Sequence, residues 1–126
     1  MSVFGLMLVA MAATITMVAN FLLRAGINRS GGFSPVSVLD ALFALSKLLL
    51  EPLFAMGFLS YFLASLIWFR VVASEPLSLA YPLLVSITFA LVTSGSMVFF
   101  NEALSLQKIC GLLLILSGIA IVALAR

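Results

Sequence analysis

The sequence predicts an all-α integral membrane protein: four transmembrane helices, with an amphipathic interfacial helix between the first and the second. Composition is the first reason. Of 126 residues, 65% are hydrophobic and 8% charged, and the mean hydropathy is +1.38. A small domain has too much surface for its volume to hide that much apolar area from water. The second reason is that the apolar residues come in long, nearly uncharged stretches of the length a helix needs to cross hydrocarbon. The third is that these stretches are continuous rather than alternating, which suits helices and not the strands of an outer-membrane barrel. A single membrane domain over 1–126 is expected, with no room for a soluble one.

The same composition excludes several function classes. One cysteine, Cys110, permits no internal disulfide, and with no histidine no metal site of the usual kind is visible. The net charge of +2 rests on few charges and forms no basic patch for nucleic acid. No nucleophile, base or metal constellation stands out, so neither catalysis nor a cofactor is expected.

The first spanning segment covers about 3–23, VFGLMLVAMAATITMVANFLL. It lacks the basic start of a cleaved signal peptide, and its apolar core is too long for one. Thr16, Asn20 and Arg24 follow one another at intervals of four, which places them on one helix face. An unpaired amide or hydroxyl in hydrocarbon costs a few kcal/mol. That face is therefore expected to look into the protein or a water-filled cavity, as the wall of a transport pathway. A purely structural role is the alternative: Thr16 bonds its i−4 carbonyl, Asn20 a neighbouring helix, and Arg24 snorkels to headgroups.

The exit, RAGINRSGGFSP, is basic and turn-like, with Gly26, Gly31 and Gly32 as breakers and Asn28 tolerant of a turn. The next stretch, SPVSVLDALFALSKLLLEP, carries a narrow polar stripe of Asp40, Lys47 and Glu51, with the small Ala44 filling the gap, on an otherwise apolar helix. Ser34 is the expected N-cap with Pro35 at N1. The segment over 35–50 is too short and too polar to span, and reads as a helix lying among headgroups. A re-entrant hairpin, or an extended start to the second span, is the alternative.

Glu51-Pro52 ends that helix, because the residue before proline avoids the α region. The second span covers about 53–73, with Trp68 near its far end at the interface and Arg70 marking the exit. The third covers about 79–100, with Pro82 in its first turn, where a missing N–H is harmless. Ser94-Gly95-Ser96 inside it marks either a kink or a close approach of two backbones. Ser105 is the expected N-cap of the fourth span, about 106–124, which ends at Arg126. Four spans place both termini on one side. Arg24, Arg29, Lys47 and Lys108 then face Arg70, Arg126 and the terminal amine, a bias too small for the positive-inside rule to set an orientation.

From Glu75 onward the sequence EPLSLAYPLLVSITFALVTSGSMVFFNEALSLQKICGLLLILSGIAIV resembles the drug/metabolite transporter superfamily. Its four-helix branch includes the small multidrug resistance proteins and the subunits of the flippase for aminoarabinose linked to undecaprenyl phosphate. The resemblance is carried by Pro76, Ala80 and Tyr81 at the entry to the third span, by Glu102 and Ser105 after it, and by Gly111 and Gly118 in the fourth. It covers about fifty residues well. In the multidrug branch a glutamate in the first span stands eight residues before a lysine. Arg24 matches the basic position here, and Thr16 stands where the carboxylate would be. Tyr61 and Tyr81 reproduce the spacing of two cavity tyrosines of that branch. The flippase subunits also lack the glutamate, carry an amide and a lysine where Asn20 and Arg24 stand, and share the Ala-Tyr-Pro of Ala80 to Pro82.

A missing carboxylate argues against proton-coupled export of a cation, which needs a membrane-embedded group that trades H⁺ for substrate. Glu51, Glu75 and Glu102 all fall at predicted helix ends, as interfacial charges or helix-terminus partners. The leading expectation is a flippase of the inner membrane for a lipid-linked sugar phosphate. Arg24, with Arg29, would hold the phosphate, while Thr16 and Asn20 offer hydrogen bonds to the sugar. A small exporter of drugs or metabolites with a cavity built on Tyr61 and Tyr81 is the second reading. An accessory membrane subunit that only stabilises a partner is the third. Four helices are too thin to enclose a pathway, so a homodimer, or a heterodimer with a paralogous subunit, is expected through Gly111, Ser117 and Gly118. Packing of those glycines within one chain is the alternative.

Overall fold

A computed structural model describes residues 2–124; Met1 and the expected terminal charges at Arg126 and the amine lie outside the described residues. Among them the chain forms five α-helices and no strand: α1 Val3–Arg29, α2 Val38–Leu49, α3 Pro52–Ser74, α4 Leu77–Phe99 and α5 Leu106–Leu124. Three of these, α1, α3 and α4, are long and apolar enough to cross a bilayer; α5 offers a shorter apolar stretch, Leu106–Val122.

The first helix is the organising element. It packs along α3 and, less extensively, along α4, while α3 and α4 meet each other only sparingly. Helix α5 packs on α4, and α2 rests on α3. The α1–α3 crossing is close because a glycine on each helix admits the other helix's backbone. A Cβ at Gly57 would stand 2.8 Å from the Leu23 backbone nitrogen, and one at Gly26 would stand 2.6 Å from that of Phe54. Such small-residue contacts take the place of hydrophobic collapse where lipid surrounds the helices.

That contact corrects the expected end of the first helix. Gly26 does not break it; the helix runs on to Arg29 because Gly26 gives α3 room to approach. The real stop is Gly31-Gly32, with φ of +100° and +107°. The Gly32 N–H donates to the Ile27 carbonyl at 2.8 Å and the Gly31 N–H to that of Asn28 at 3.3 Å, the paired bonds of a Schellman end. The 27 residues of α1 rise about 40 Å, roughly 10 Å more than a hydrocarbon core. Its last turns, with Arg24 and Arg29, therefore reach past the apolar layer.

Two other boundaries differ from expectation. Helix α2 is capped by Ser37, not Ser34. The Ser37 hydroxyl accepts from the Asp40 N–H, and Asp40 accepts from the Val36 N–H, each at 3.1 Å. This reciprocal use of orphan donors is open to Ser37, with an acid three residues on, and not to Ser34. Helix α4 starts at Leu77, so Pro82 lies within it rather than in its first turn. Pro82 has no N–H for the Ser78 carbonyl four residues back. Ser105 caps α5 as expected, accepting from the Lys108 N–H at 3.2 Å.

Gly95 is a close-contact position: α4 continues through it, and the Phe21 ring of α1 lies against it. Phe21 also meets Phe99 and Phe100, with ring centroids 5.7 Å away in both cases.

Candidate functional site

Each glutamate ties a helix end to α1 or its cap. Glu75, between α3 and α4, accepts from the Ser2 hydroxyl at 2.7 Å, while that hydroxyl accepts from the Gly5 N–H at 3.0 Å. The Ser2 hydroxyl bond is the main cause that holds the Glu75 carboxyl below its ordinary pKa. At the other end Glu51 lies 3.5 Å from Arg29, and Glu102 pairs with Arg24. None of the three reaches the middle of the bundle.

The middle is lined differently. A groove of about 450 Å³ opens between α3 and α4 with α1 at its back. From α1 it takes Ala12, Thr16 and Asn20, which are one helical turn apart. From α3 it takes Tyr61, Ala64, Ser65 and Trp68, and from α4 Thr88 and Phe89 with apolar neighbours. Thr16 donates its proton to the Ala12 carbonyl at 2.7 Å and so offers the groove only acceptor lone pairs. Asn20 makes no side-chain hydrogen bond among the described residues. Ser65 donates to the Tyr61 carbonyl at 3.0 Å. The Thr88 hydroxyl is buried without a partner, which is uncommon for a helical threonine.

A second cavity, about 530 Å³, continues from the first towards the end of α1. Asn20 and Val92 line both, and Arg24, Ser96 and Phe100 line the second. The Arg24 guanidinium sits 4.8 Å from the Phe100 ring centroid and is paired with Glu102. Of the expected stripe, then, Thr16 and Asn20 share one cavity, and Asn20 and Arg24 the next.

The two tyrosines are not equivalent. Tyr61 lines the groove. Tyr81 does not; its ring meets Trp68 edge-on, centroids 5.9 Å apart. Trp68, near the far end of α3, turns its ring into the bundle, where it lines the groove and meets Tyr81. Thr88 and Phe89 escaped the sequence reading, and Trp68 was read only as an interfacial ring. The available signal was helical spacing: Tyr61, Ser65 and Trp68 fall on one face of α3, and Leu84, Thr88 and Val92 follow at intervals of four on α4.

Gly111 and Gly118 are not packed within the chain, since a Cβ at either would meet nothing within 4 Å. Ser117 donates to the Leu113 carbonyl at 2.7 Å. The outer face of α5 is exposed.

Comparison with known proteins gives this arrangement its family. The model described as "Putative transmembrane family 234" matches residues 6–123. The chain belongs to that family. It is also similar to proteins named "Probable 4-amino-4-deoxy-L-arabinose-phosphoundecaprenol flippase subunit ArnE". The Erwinia tasmaniensis protein is 41% identical over 59 residues, 47% of this chain and 54% of its own length. The Escherichia coli protein is 39% identical over 59 residues, 47% and 52% of the two chains. That of Yersinia pestis is 38% identical over 65 residues, 52% and 56%. This chain thus spans about half the length of the curated relatives it matches. No solved structure matches. The chain is an integral membrane protein, and the resemblance to flippase subunits read from its second half agrees with these relatives.

Proposed function

We propose that this chain is a subunit of a flippase that moves a lipid-linked sugar phosphate, such as an undecaprenyl-phosphate glycan precursor, across the bacterial inner membrane. The observation that carries the reading is Asn20. It stands where an uncharged, mostly apolar groove with a few hydroxyls along it passes into a cavity lined by a guanidinium. That sequence of groups suits a headgroup with a neutral, hydroxylated end and an anionic end: hydroxyls and an amide for sugar, a planar fork for phosphate.

In this reading α1, α3, α4 and α5 span the bilayer as one domain, and α2 lies among the headgroups with its apolar side turned to the acyl chains. Leu39, Leu42 and Phe43 of α2 are well exposed, which supports that placement. A second subunit, identical or paralogous, closes the pathway. The exposed face of α5 with Ser117 and Gly118 is its seat. The protein is a transporter in this reading, not an enzyme, and needs no cofactor.

The test is binding of a labelled polyprenyl-phosphate sugar to purified wild type and to Arg24→Lys, Arg24→Gln and Asn20→Ala. Lysine keeps the charge and loses the fork, so binding falls; the other two variants fall further while still inserting. Equal binding by all four removes the phosphate role and leaves an accessory subunit. The aromatic walls formed by Tyr61, Trp68 and Phe89 favour the second reading, a small drug or metabolite exporter. Vesicles that exchange quaternary ammonium dyes for protons would put that reading first, against the expectation from Thr16.

A further inference from the structure

The Arg24 guanidinium holds an anion already. Glu102 takes its Nη1 corner, and the Phe100 ring covers one face. The carboxylate is presented by the backbone rather than by chance. Asn101, just past the end of α4, has φ of +53°, and the Ser96 carbonyl accepts from both the Phe100 and the Glu102 N–H groups, at 3.1 and 3.3 Å. A left-handed residue turns the chain back over the helix end, and that turn aims Glu102 at α1.

Glu102 also has a second place to go. It lines a third cavity, about 380 Å³ between α4 and α5, together with Lys108. Among the described residues the Lys108 ammonium there reaches only the Ala103 carbonyl, at 3.4 Å. Arg24 and Glu102 are 51% and 41% exposed, so their pairing is weak enough to exchange. Exposed pairs are worth about 0–1 kcal/mol, and a phosphate beside a carboxylate on one guanidinium is repelled by it.

We propose that Glu102 is a displaceable counterion that decides which anions Arg24 accepts. A lipid-borne phosphate replaces the carboxylate on Arg24, and the carboxylate moves to Lys108. The lipid source follows from the cavity, whose other walls include Phe21, Leu23 and Ile27. The inference rests on the phosphate role proposed for Arg24. It adds a selectivity element: an anion must outcompete a built-in carboxylate, which favours groups able to grip the fork in bidentate fashion over those that touch it once.

Dodecyl phosphate in maltoside micelles is the probe, with inorganic phosphate as the second arm, on wild type, Glu102→Gln, Glu102→Asp and Arg24→Lys. Removing the competitor raises dodecyl phosphate affinity in Glu102→Gln by roughly two- to fivefold, the range of an exposed pair. Glu102→Asp, a methylene shorter, raises it less. In an Arg24→Gln background the Glu102→Gln gain disappears. If Arg24→Lys lowers affinity but Glu102→Gln leaves it unchanged or reduced, the phosphate role stands and the displacement is overturned. If Arg24→Lys changes nothing, the phosphate role itself fails. An equal response to inorganic phosphate overturns the lipid source.

Discussion

Gly57 of α3 sits so close to Leu23 of α1 that a single added carbon would stand 2.8 Å from a backbone nitrogen. Backbone cannot swing aside as a side-chain tip can. Gly57→Ala should therefore lower the stability of the bundle by about 1–3 kcal/mol, as overpacking does, despite alanine's better helix propensity. Thermal unfolding in detergent is the measurement. A melting temperature equal to wild type would mean that α1 and α3 do not cross here.

Gly118 is the contrasting case. Its Cβ would enter open space, so Gly118→Leu should leave the fold of one subunit intact. At a subunit seam the same substitution forces two helices apart. Cross-linking in lipid should show the dimer fraction abolished while the helical signal of the monomer is unchanged. An unchanged dimer fraction moves the seam away from α5.

Thr88 separates stability from binding. Its buried hydroxyl has no partner, and valine has nearly the same shape. Thr88→Val should raise stability by about 1 kcal/mol, because an unsatisfied buried polar group is removed. Affinity for the sugar end of a lipid-linked ligand should stay unchanged at the same time, because the buried hydroxyl is out of a ligand's reach. A loss of stability would show instead that the hydroxyl bonds within the helix.

Glu75 gives a pH dependence. Its folded pKa is lowered, chiefly by the Ser2 hydroxyl, so its contribution to stability is complete above the ordinary value of 4.5. It is lost as pH falls through the depressed value, when the carboxylate is protonated. Melting in detergent between neutral pH and pH about 3.5 should fall more for wild type than for Glu75→Gln. Parallel curves would show that the tie between Ser2 and Glu75 does not act on the melt.

The parts of the fold legible in the sequence are those set by local chemistry. Ser105 caps α5 and Glu51-Pro52 divides α2 from α3 because a hydroxyl or a proline ring acts on its own neighbours. The glutamates at helix ends were legible for the same reason: charge avoids the apolar middle. Gly26 was not legible, since a glycine inside a helix is a breaker or a contact point according to what approaches it, and Phe54 lies far along the chain. Trp68 is similar. That its ring turns towards Tyr81 and the groove depends on how far α3 stands from α4, which local sequence does not set. The stripe of Thr16, Asn20 and Arg24 was readable from spacing. That Arg24 has a carboxylate partner depended on the left-handed turn at Asn101, which an asparagine permits but does not announce.

Helices α3 and α4 barely meet, yet both are seated on α1. In mechanical terms this is a stiff spine with two compliant flaps. A swing of either flap about the line of α1 would break little contact between the two. A sideways-opening seam of this kind suits a cargo with two unlike parts. For the cargo proposed above, the polar end would travel along the spine past Asn20 while the chains stay in the bilayer, so that the membrane itself would serve as the outer wall of the path.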